Sequence, residues 1–166
     1  MWRIVSVLWK PLPHIVARIP SYMPPQTPYA CIHIRRGDKV AIGEDDFFPI
    51  ENYFAALTAF APDIKVVYLM SDDFRVFHQA CERFPDYHIC QGPEHRRRGY
   101  DQSSFEAARL DEVREQTENL ILDLEIARQS KVFIGTFKSH LFRLVEFLRD
   151  ENGIDISSRD RPNSHM

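Results

Sequence analysis

Residues 29–39 read Tyr-Ala-Cys-Ile-His-Ile-Arg-Arg-Gly-Asp-Lys, so a short apolar run passes directly into a cluster of charged side chains. The run predicts a buried β-strand over 29–35 with the charges at its carboxyl end. In open α/β sheets, ligands bind at the carboxyl ends of strands. Paired guanidinium groups match phosphate oxygens. The stretch therefore predicts a phosphorylated ligand at this strand end.

The two arginines are expected to have different partners. Strand side chains alternate between the two faces, so His33 and Arg35 project from one face and Arg36 from the other. We expect His33 and Arg35 to contact one ligand, while Arg36 pairs with an acid such as Asp38. The competing interpretation is a structural cluster of ion pairs, because desolvated charges need partners.

Strand-like and helix-like segments alternate along the rest of the chain. Strands are predicted at 65–70, 87–90 and 131–135. Helices are predicted from Pro49, as the first helical residue, to about 60, after Asp73 to about 84, and at 139–149, with one or two helices at roughly 105–115 and 117–129. This alternation predicts an α/β fold, a Rossmann-like parallel sheet with helices on both faces.

The chain of 166 residues is long enough for one ordinary domain. We divide it into a helical lead-in with a Pro-rich connector (1–28), the Rossmann-like domain (29–150) and a polar tail expected to be disordered (151–166). The apolar run at 2–9 is too short to span a membrane and lacks a small-residue cleavage site. We therefore expect no signal peptide and no membrane anchor in this sequence.

The net charge and the cysteine spacing argue against nucleic-acid and metal-ion partners. A net charge of −3 argues against general nucleic-acid binding. The local run of arginines at 96–98 is either a solvated loop or an anion site. Three cysteines, Cys31, Cys81 and Cys90, lack metal-ligand spacing, and the sequence leaves open whether the last two pair.

Two further places carry carboxylates that need an explanation. Asp72 and Asp73 follow the second predicted strand, where an aspartate either caps a helix or supports a site. Asp123 lies within Leu-Ile-Leu-Asp-Leu on an apolar helix face, where a carboxylate needs donors in return. Those donors are either an arginine or the N1–H and N2–H edge of a guanine.

The segment Gly-Thr-Phe-Lys-Ser-His at 135–140 is a predicted strand-to-helix turn. Free amides at a helix N-terminus attract anions, and the helix dipole adds to this. Ser139 is expected to supply a hydroxyl donor and to cap the helix. This is the second turn of the chain suited to phosphate.

These segments together resemble the α-1,6-fucosyltransferase family. The matching stretches are His-Ile-Arg-Arg-Gly-Asp-Lys-Val at 33–40, Phe-Pro-Ile-Glu-Asn-Tyr at 48–53, Val-Tyr-Leu-Met-Ser-Asp-Asp at 67–73, Leu-Ile-Leu-Asp-Leu at 120–124 and Gly-Thr-Phe-Lys-Ser-His-Leu-Phe-Arg at 135–143. The resemblance extends to about residue 148. The first motif alone is shared with α-1,2-fucosyltransferases, and the later segments favour the α-1,6 group.

The resemblance implies transfer of L-fucose from GDP-fucose to the 6-hydroxyl of an N-acetylglucosamine, in an N-glycan core or a chitin-type oligosaccharide. It implies an inverting reaction without a metal or other cofactor, and a location in the Golgi lumen. It also implies that the chain corresponds to the C-terminal half of a GT-B-like glycosyltransferase. The alternatives are a non-catalytic GDP-sugar-binding module, a truncated pseudoenzyme, or an α-1,2- or O-fucosyltransferase.

The resemblance also assigns roles to individual residues. His33 and Asp123 would hold the guanine, and Arg35, Ser139 and His140 would hold the β-phosphate, although the family commonly has a glutamine where His140 stands. The catalytic group would be Glu44 as the base, Lys39 near the acceptor, and Arg36 and Asp38 in support. The assignment of Glu44 requires a one-residue insertion in the 41–43 region.

Overall fold

Five parallel strands form a single sheet in the computed structural model, which describes residues 8–37, 47–93, 101–149 and 153–157. The strands are β1 (Ala30–Ile34), β2 (Val66–Ser71), β3 (His88–Cys90), β4 (Val132–Gly135) and β5 (Ile154–Asp155). Their order across the sheet is β3-β2-β1-β4-β5, and every pairing is parallel. The predicted Rossmann-like α/β fold is confirmed.

Six α-helices accompany the sheet within the described ranges. They are α1 (Pro13–Val16), α2 (Ile50–Phe60), α3 (Phe74–Arg83), α4 (Gln102–Glu106), α5 (Leu110–Gln129) and α6 (His140–Arg149), with a 3₁₀ turn at Ile19–Ser21. Helices α2 and α3 pack on one face of the sheet, and α1, α5 and α6 pack on the other. Both faces of the sheet are therefore covered, as predicted.

Strand β1 lies in the middle of the sheet, and all five of its side chains are buried. Cys31 packs with Tyr68 and Phe133 under α5 and α6. Ile32 and Ile34 pack on the opposite face, under α2 and α3. A strand with apolar side chains on both faces is stable only between two helical layers, so the 29–34 run itself requires the three-layer arrangement.

Two predicted helix details differ from the structure. Pro49, predicted to be the first helical residue, is instead the N-cap of α2, which begins at Ile50. The predicted helices at 105–115 and 117–129 are instead the short α4 and one 20-residue helix, α5. Arg109 ends the break between them in an extended conformation, which turns the chain before α5 begins.

The expected disorder of the 151–166 tail is wrong for residues 154–155, which form the edge strand β5. Ile154 and Asp155 pair with Ile134 and Gly135 of β4. A Cβ on Gly153 would lie 2.7 Å from the Cζ of Phe142, so only glycine lets the chain approach α6 here. Polar composition hid this short strand. Residues 158–166 lie outside the described part of the chain.

The lead-in docks on α5 through polar contacts. Trp9 Nε1 donates to Glu125 Oε1 at 2.5 Å, and an Arg18 guanidinium nitrogen donates to Asn119 Oδ1 at 2.6 Å. Residues 1–7, which include most of the predicted apolar stub, lie outside the described residues. In the ranges that the structure covers, none of the helices combines the length and the apolar character needed to cross a bilayer.

The α5–sheet interface is expected to dominate stability. Leu122, on the side of α5 that faces the sheet, is fully buried, whereas Leu110 on the same helix is 85% exposed. We predict that Leu122→Ala lowers the free energy of unfolding by about 2–5 kcal/mol, because it removes buried methyl groups and leaves a cavity. Leu110→Ala, the matched control, should change it by less than about 0.5 kcal/mol. Denaturant titration measures both, and equal effects would contradict the described orientation of α5.

Candidate functional site

A cleft of about 320 Å³ opens at the carboxyl ends of β1 and β2. The chain runs outward from β1 to β2 and β3, then crosses back to β4 on the other side of β1. Such a switch point is where doubly wound sheets bind ligands. The lining residues are His33, Arg35, Met70, Ser71, Asp72, Phe105, Gln116, Thr117, Leu120, Asp123 and Leu141.

His33 occupies the wall of the cleft that β1 provides. Its side chain is 4% exposed, and its Nδ1 has no hydrogen-bond partner among the described residues. Burial, together with a smaller effect of the nearby Arg35 charge, lowers the pKa of His33 to about 4. At neutral pH the cleft therefore presents an uncharged imidazole with an unused nitrogen.

Asp123 faces the cleft from α5. The Tyr68 hydroxyl donates to its Oδ1 at 2.5 Å. Burial raises the pKa of Asp123 to about 7, and the hydrogen bond from Tyr68 opposes that rise. Among the described residues the partner of this carboxyl is thus a tyrosine and not an arginine, which disfavours the arginine interpretation of the sequence.

Gly92 closes the other side of Asp123. A Cβ on Gly92 would lie 2.3 Å from Asp123 Oδ1 and 2.6 Å from the Tyr68 hydroxyl. The backbone after β3 therefore packs directly on the carboxyl group. This contact shields one edge of Asp123 from water and leaves the rest of the carboxyl to the cleft, which explains the burial that raises its pKa.

The loop after β1 is held by Asp72. Its Oδ1 accepts from Arg36 N at 2.7 Å, and its Oδ2 accepts from Gly37 N at 2.8 Å. Asp72 and Arg35 both line the cleft. Asp72 therefore fixes the backbone that directly follows Arg35.

Arg36 projects to the opposite side of the sheet, as the strand alternation predicts. Its guanidinium donates to the carbonyl oxygens of Arg35 at 3.1 Å and Phe48 at 2.5 Å, and lies 4.2 Å from the ring centroid of Phe47. These contacts fasten both ends of the segment between β1 and α2. Asp38, its expected partner, lies outside the described residues.

Asp73 is a helix cap. Its Oδ1 accepts from Arg75 N at 3.0 Å at the start of α3, and its carboxylate forms an ion pair with the Arg75 guanidinium. The capping interpretation therefore accounts for Asp73, which does not line the cleft, whereas site support by Asp72 stays a prediction.

The turn from β4 into α6 lies beside the cleft, which Leu141 lines. Neither Ser139 nor His140 is among the lining residues. Ser139 is buried, and its Oγ has no hydrogen-bond partner in the described structure, so the predicted helix-capping bond is not formed. Its backbone instead closes the turn, with Ser139 N donating to the Thr136 carbonyl at 3.0 Å.

Three predicted catalytic residues, Asp38, Lys39 and Glu44, lie outside the described residues, as do the arginines at 96–98. Their assignments stay predictions. Where the chain is described, no cluster of three or more His, Cys, Asp or Glu side chains is arranged to hold a metal ion. Cys31, Cys81 and Cys90 are free thiols.

Several residues of the site were not predicted from the sequence. They are Tyr68, Gly92, Phe105, Gln116, Thr117 and Leu141. Tyr68 carried a usable signal, because it shares the α5 face of β2 and its hydroxyl needs a partner when buried. The contribution of Phe105 had no such signal, since it depends on how α4 folds against α5.

The chain is thus a Rossmann-like α/β domain with a cleft at its topological switch point. The model of the family "Alpha-(1,6)-fucosyltransferase N- and catalytic domains" matches residues 3–160. The chain belongs to the α-(1,6)-fucosyltransferase family.

Individual relatives agree with this assignment. An α-(1,6)-fucosyltransferase of Drosophila melanogaster is 25% identical over 127 residues, which cover 72% of this chain and 19% of that protein. The crystal structure of POFUT1 in complex with GDP-fucose superposes with a TM-score of 0.61 at 14% identity, over 93% of this chain and 47% of that one. NodZ α-1,6-fucosyltransferase soaked with GDP-fucose gives 0.55 at 18%, over 82% and 42%. The chain thus spans about a fifth of the insect relative and under half of the two structures.

The unusual pKa of Asp123 makes stability depend on pH. Its folded pKa of about 7 exceeds the ordinary value of 3.8, so the folded protein retains a proton that the unfolded chain has lost between pH 4 and 7. Ionisation of Asp123 therefore lowers stability progressively through this window. We predict that Asp123→Asn matches the wild type near pH 4 apart from a constant offset, and gains relative stability as the pH rises to 8.

Unfolding free energies of both proteins at each pH test this, since the opposite titration of His33 cancels in their difference. Asp111→Asn on the exposed part of α5 controls for loss of one negative charge. A difference that stays constant from pH 4 to 8 would contradict the raised pKa.

Proposed function

We propose that this chain carries the GDP-fucose donor site of an α-1,6-fucosyltransferase and transfers L-fucose to the 6-hydroxyl of an N-acetylglucosamine. The observation that carries the proposal is one cleft at the switch point lined by His33, Arg35 and Asp123. Family membership supports the reaction class. The crystal structures of POFUT1 and NodZ with GDP-fucose support the donor.

The guanine would be recognised between β1 and α5. The ionised Asp123 accepts the parallel N1–H and N2–H groups, and its Oδ2 is not engaged by Tyr68. Neutral His33 offers its unused nitrogen to the purine from the opposite wall. His33 is buried and Asp123 is half-buried, so a nucleotide that satisfies them recovers hydrogen bonds that the site otherwise lacks.

The diphosphate would extend toward the loop after β1 and the turn before α6. Arg35 supplies a guanidinium, the buried Ser139 hydroxyl supplies a free donor, and the first-turn amides of α6 have no intrahelical acceptors. His140 would add a further contact. These fixed donors stabilise charge on GDP as it leaves, and we propose that they do so without a metal or other cofactor.

In the transfer step the acceptor would contact residues within 38–46. Glu44 would take the proton of the attacking 6-hydroxyl, and Lys39 would orient the acceptor. The acceptor oxygen forms the new bond to C1 of fucose with inversion, while the bond from C1 to the β-phosphate oxygen breaks and GDP leaves with the electron pair. Arg36 and Asp38 would support the catalytic residues. An N-glycan core or chitin-type oligosaccharide as acceptor, and the Golgi lumen as compartment, belong to the same proposal.

The second candidate is a non-catalytic GDP-sugar-binding module. Its support is that the chain covers under half of each of the two solved structures. A donor half-site alone binds nucleotide without completing the acceptor side. An α-1,2- or O-fucosyltransferase is less favoured, because the match to POFUT1 is 14% identical.

Loss of Arg35 should abolish most donor binding. Calorimetry with GDP is expected to show binding by the full chain and about a 10–100-fold loss in Arg35→Ala, because a buried guanidinium–phosphate contact contributes about 1.5–3 kcal/mol. Arg109→Ala removes an arginine that is 80% exposed and serves as the control. Absence of GDP binding by the wild-type chain would overturn the proposal.

Fucose transfer separates the enzyme from the binding module. With GDP-fucose and a GlcNAc-terminated biantennary glycopeptide, we expect transfer by the wild type and a loss of about 10²–10⁴-fold in Glu44→Gln, which cannot accept the proton. Unchanged GDP binding by the variant shows that the donor site is intact. Full activity of Glu44→Gln would exclude it as the base, and GDP binding without any transfer would favour the module.

A further inference from the structure

The two turns beside the cleft, at 35–37 and 136–139, are held in the same way. Each is held by a carboxylate from the strand on its outer side. Asp72 at the end of β2 accepts from the backbone of the turn after β1, and Asp155 on β5 accepts from the backbone of the turn after β4. Both turns therefore have their backbone fixed from outside by a neighbouring strand.

We infer that Asp155 is a positioning residue for the donor diphosphate, acting through the turn at 136–139. Its Oδ1 accepts from Phe137 N at 3.0 Å, and also from Ser157 N at 2.9 Å and Ser157 Oγ at 2.5 Å. This inference rests on the proposed donor site and extends it to a strand that the sequence had hidden. Asp155 itself does not line the cleft.

The outside contact adds to the contacts that the turn makes within itself and with α6. In the described part of the chain, Ser139 Oγ makes no capping bond, Ser139 N donates to the Thr136 carbonyl, and the Arg143 guanidinium lies 5.7 Å from the centre of the Phe137 ring. Phe137, the residue whose N–H meets Asp155, is 50% exposed. The hydrogen bond to Asp155 thus anchors the outer end of the turn, while α6 anchors its inner end.

Strand β5 is itself fixed, so its carboxylate is a rigid reference point. Ile156 N donates to the Gly135 carbonyl at 3.0 Å, and Gly153 N donates to Glu146 Oε1 of α6 at 2.8 Å. The glycine at 153 also lets the backbone contact Phe142. Both strand and helix that flank the turn are therefore bonded to the segment that carries Asp155.

Substitutions that change the charge of Asp155 can distinguish a positioning role from a direct electrostatic effect on GDP. A carboxylate near a diphosphate repels it, so charge alone would make Asp155 unfavourable for GDP. Its benefit must come from the geometry of the hydrogen bond. Asp155→Asn keeps an acceptor oxygen and removes the charge, whereas Asp155→Ala removes both. Positioning therefore predicts that Asp155→Ala weakens GDP binding and that Asp155→Asn does not.

Calorimetry on the full chain should show a GDP dissociation constant about tenfold higher in Asp155→Ala, and equal or lower in Asp155→Asn. The affinity for GMP, which lacks the β-phosphate, should stay within about twofold in both. Ser157→Ala removes a different donor to the same oxygen and is expected to leave GDP affinity unchanged. Equal gains in affinity from Ala and Asn, or an equal loss for GMP and GDP in the alanine variant, would overturn the inference.

Hydrogen exchange of the Phe137 amide tests the turn without any nucleotide. Asp155→Ala should accelerate that exchange about tenfold, while Asp155→Asn should protect it like the wild type. Unchanged exchange in the alanine variant would overturn the inference whatever the binding results. Absence of GDP binding by the wild type would overturn the proposed donor site and, with it, the role of Asp155 in GDP binding. The hydrogen-exchange result would still show whether Asp155 holds the turn.

Discussion

The burial of β1 on both faces is the constraint on which the rest of the structure depends. A strand this apolar needs a helical layer on each side, and its central place in the sheet sets neighbours on both edges. Where it ends, the chain has to leave the core, and the residues at that point are His33 and Arg35 at the mouth of the switch-point cleft. The same strand thus creates the core and delivers the polar groups to the site.

Because these polar groups lie near the core, their pKa values are shifted toward the uncharged form. His33 is held neutral by burial, and Asp123 is held close to half-protonated at neutral pH. Tyr68 and Gly92 enclose Asp123 without neutralising it. Such a carboxyl gains from any ligand that brings its own donors, because the ligand supplies the hydrogen bonds that desolvation removed. A nucleobase edge has this property, and water in an open site satisfies it less specifically.

Much of this arrangement was predictable from local patterns. Continuous apolar runs predicted β1, β2 and β4, and side-chain alternation predicted that His33 and Arg35 would share a face opposite Arg36. The distinction between Asp72 and Asp73 could not be predicted, because either carboxylate can cap a helix and only the path of the loop after β1 selects Asp72 for Arg36 and Gly37. The cap assigned to Ser139 was wrong, because Thr136 closes the turn through its backbone instead.

The sequence by itself determined the layered sheet, the charged strand end and the family, since these follow from residue type and short-range spacing. The tertiary structure alone decided that Tyr68 meets Asp123, that Gly92 packs on the same carboxyl, and that a two-residue strand brings Asp155 to the turn before α6. These contacts join segments 18 to 55 residues apart in the chain. The crossover geometry of the sheet determines which segments meet, and the periodicity within one segment does not predict this.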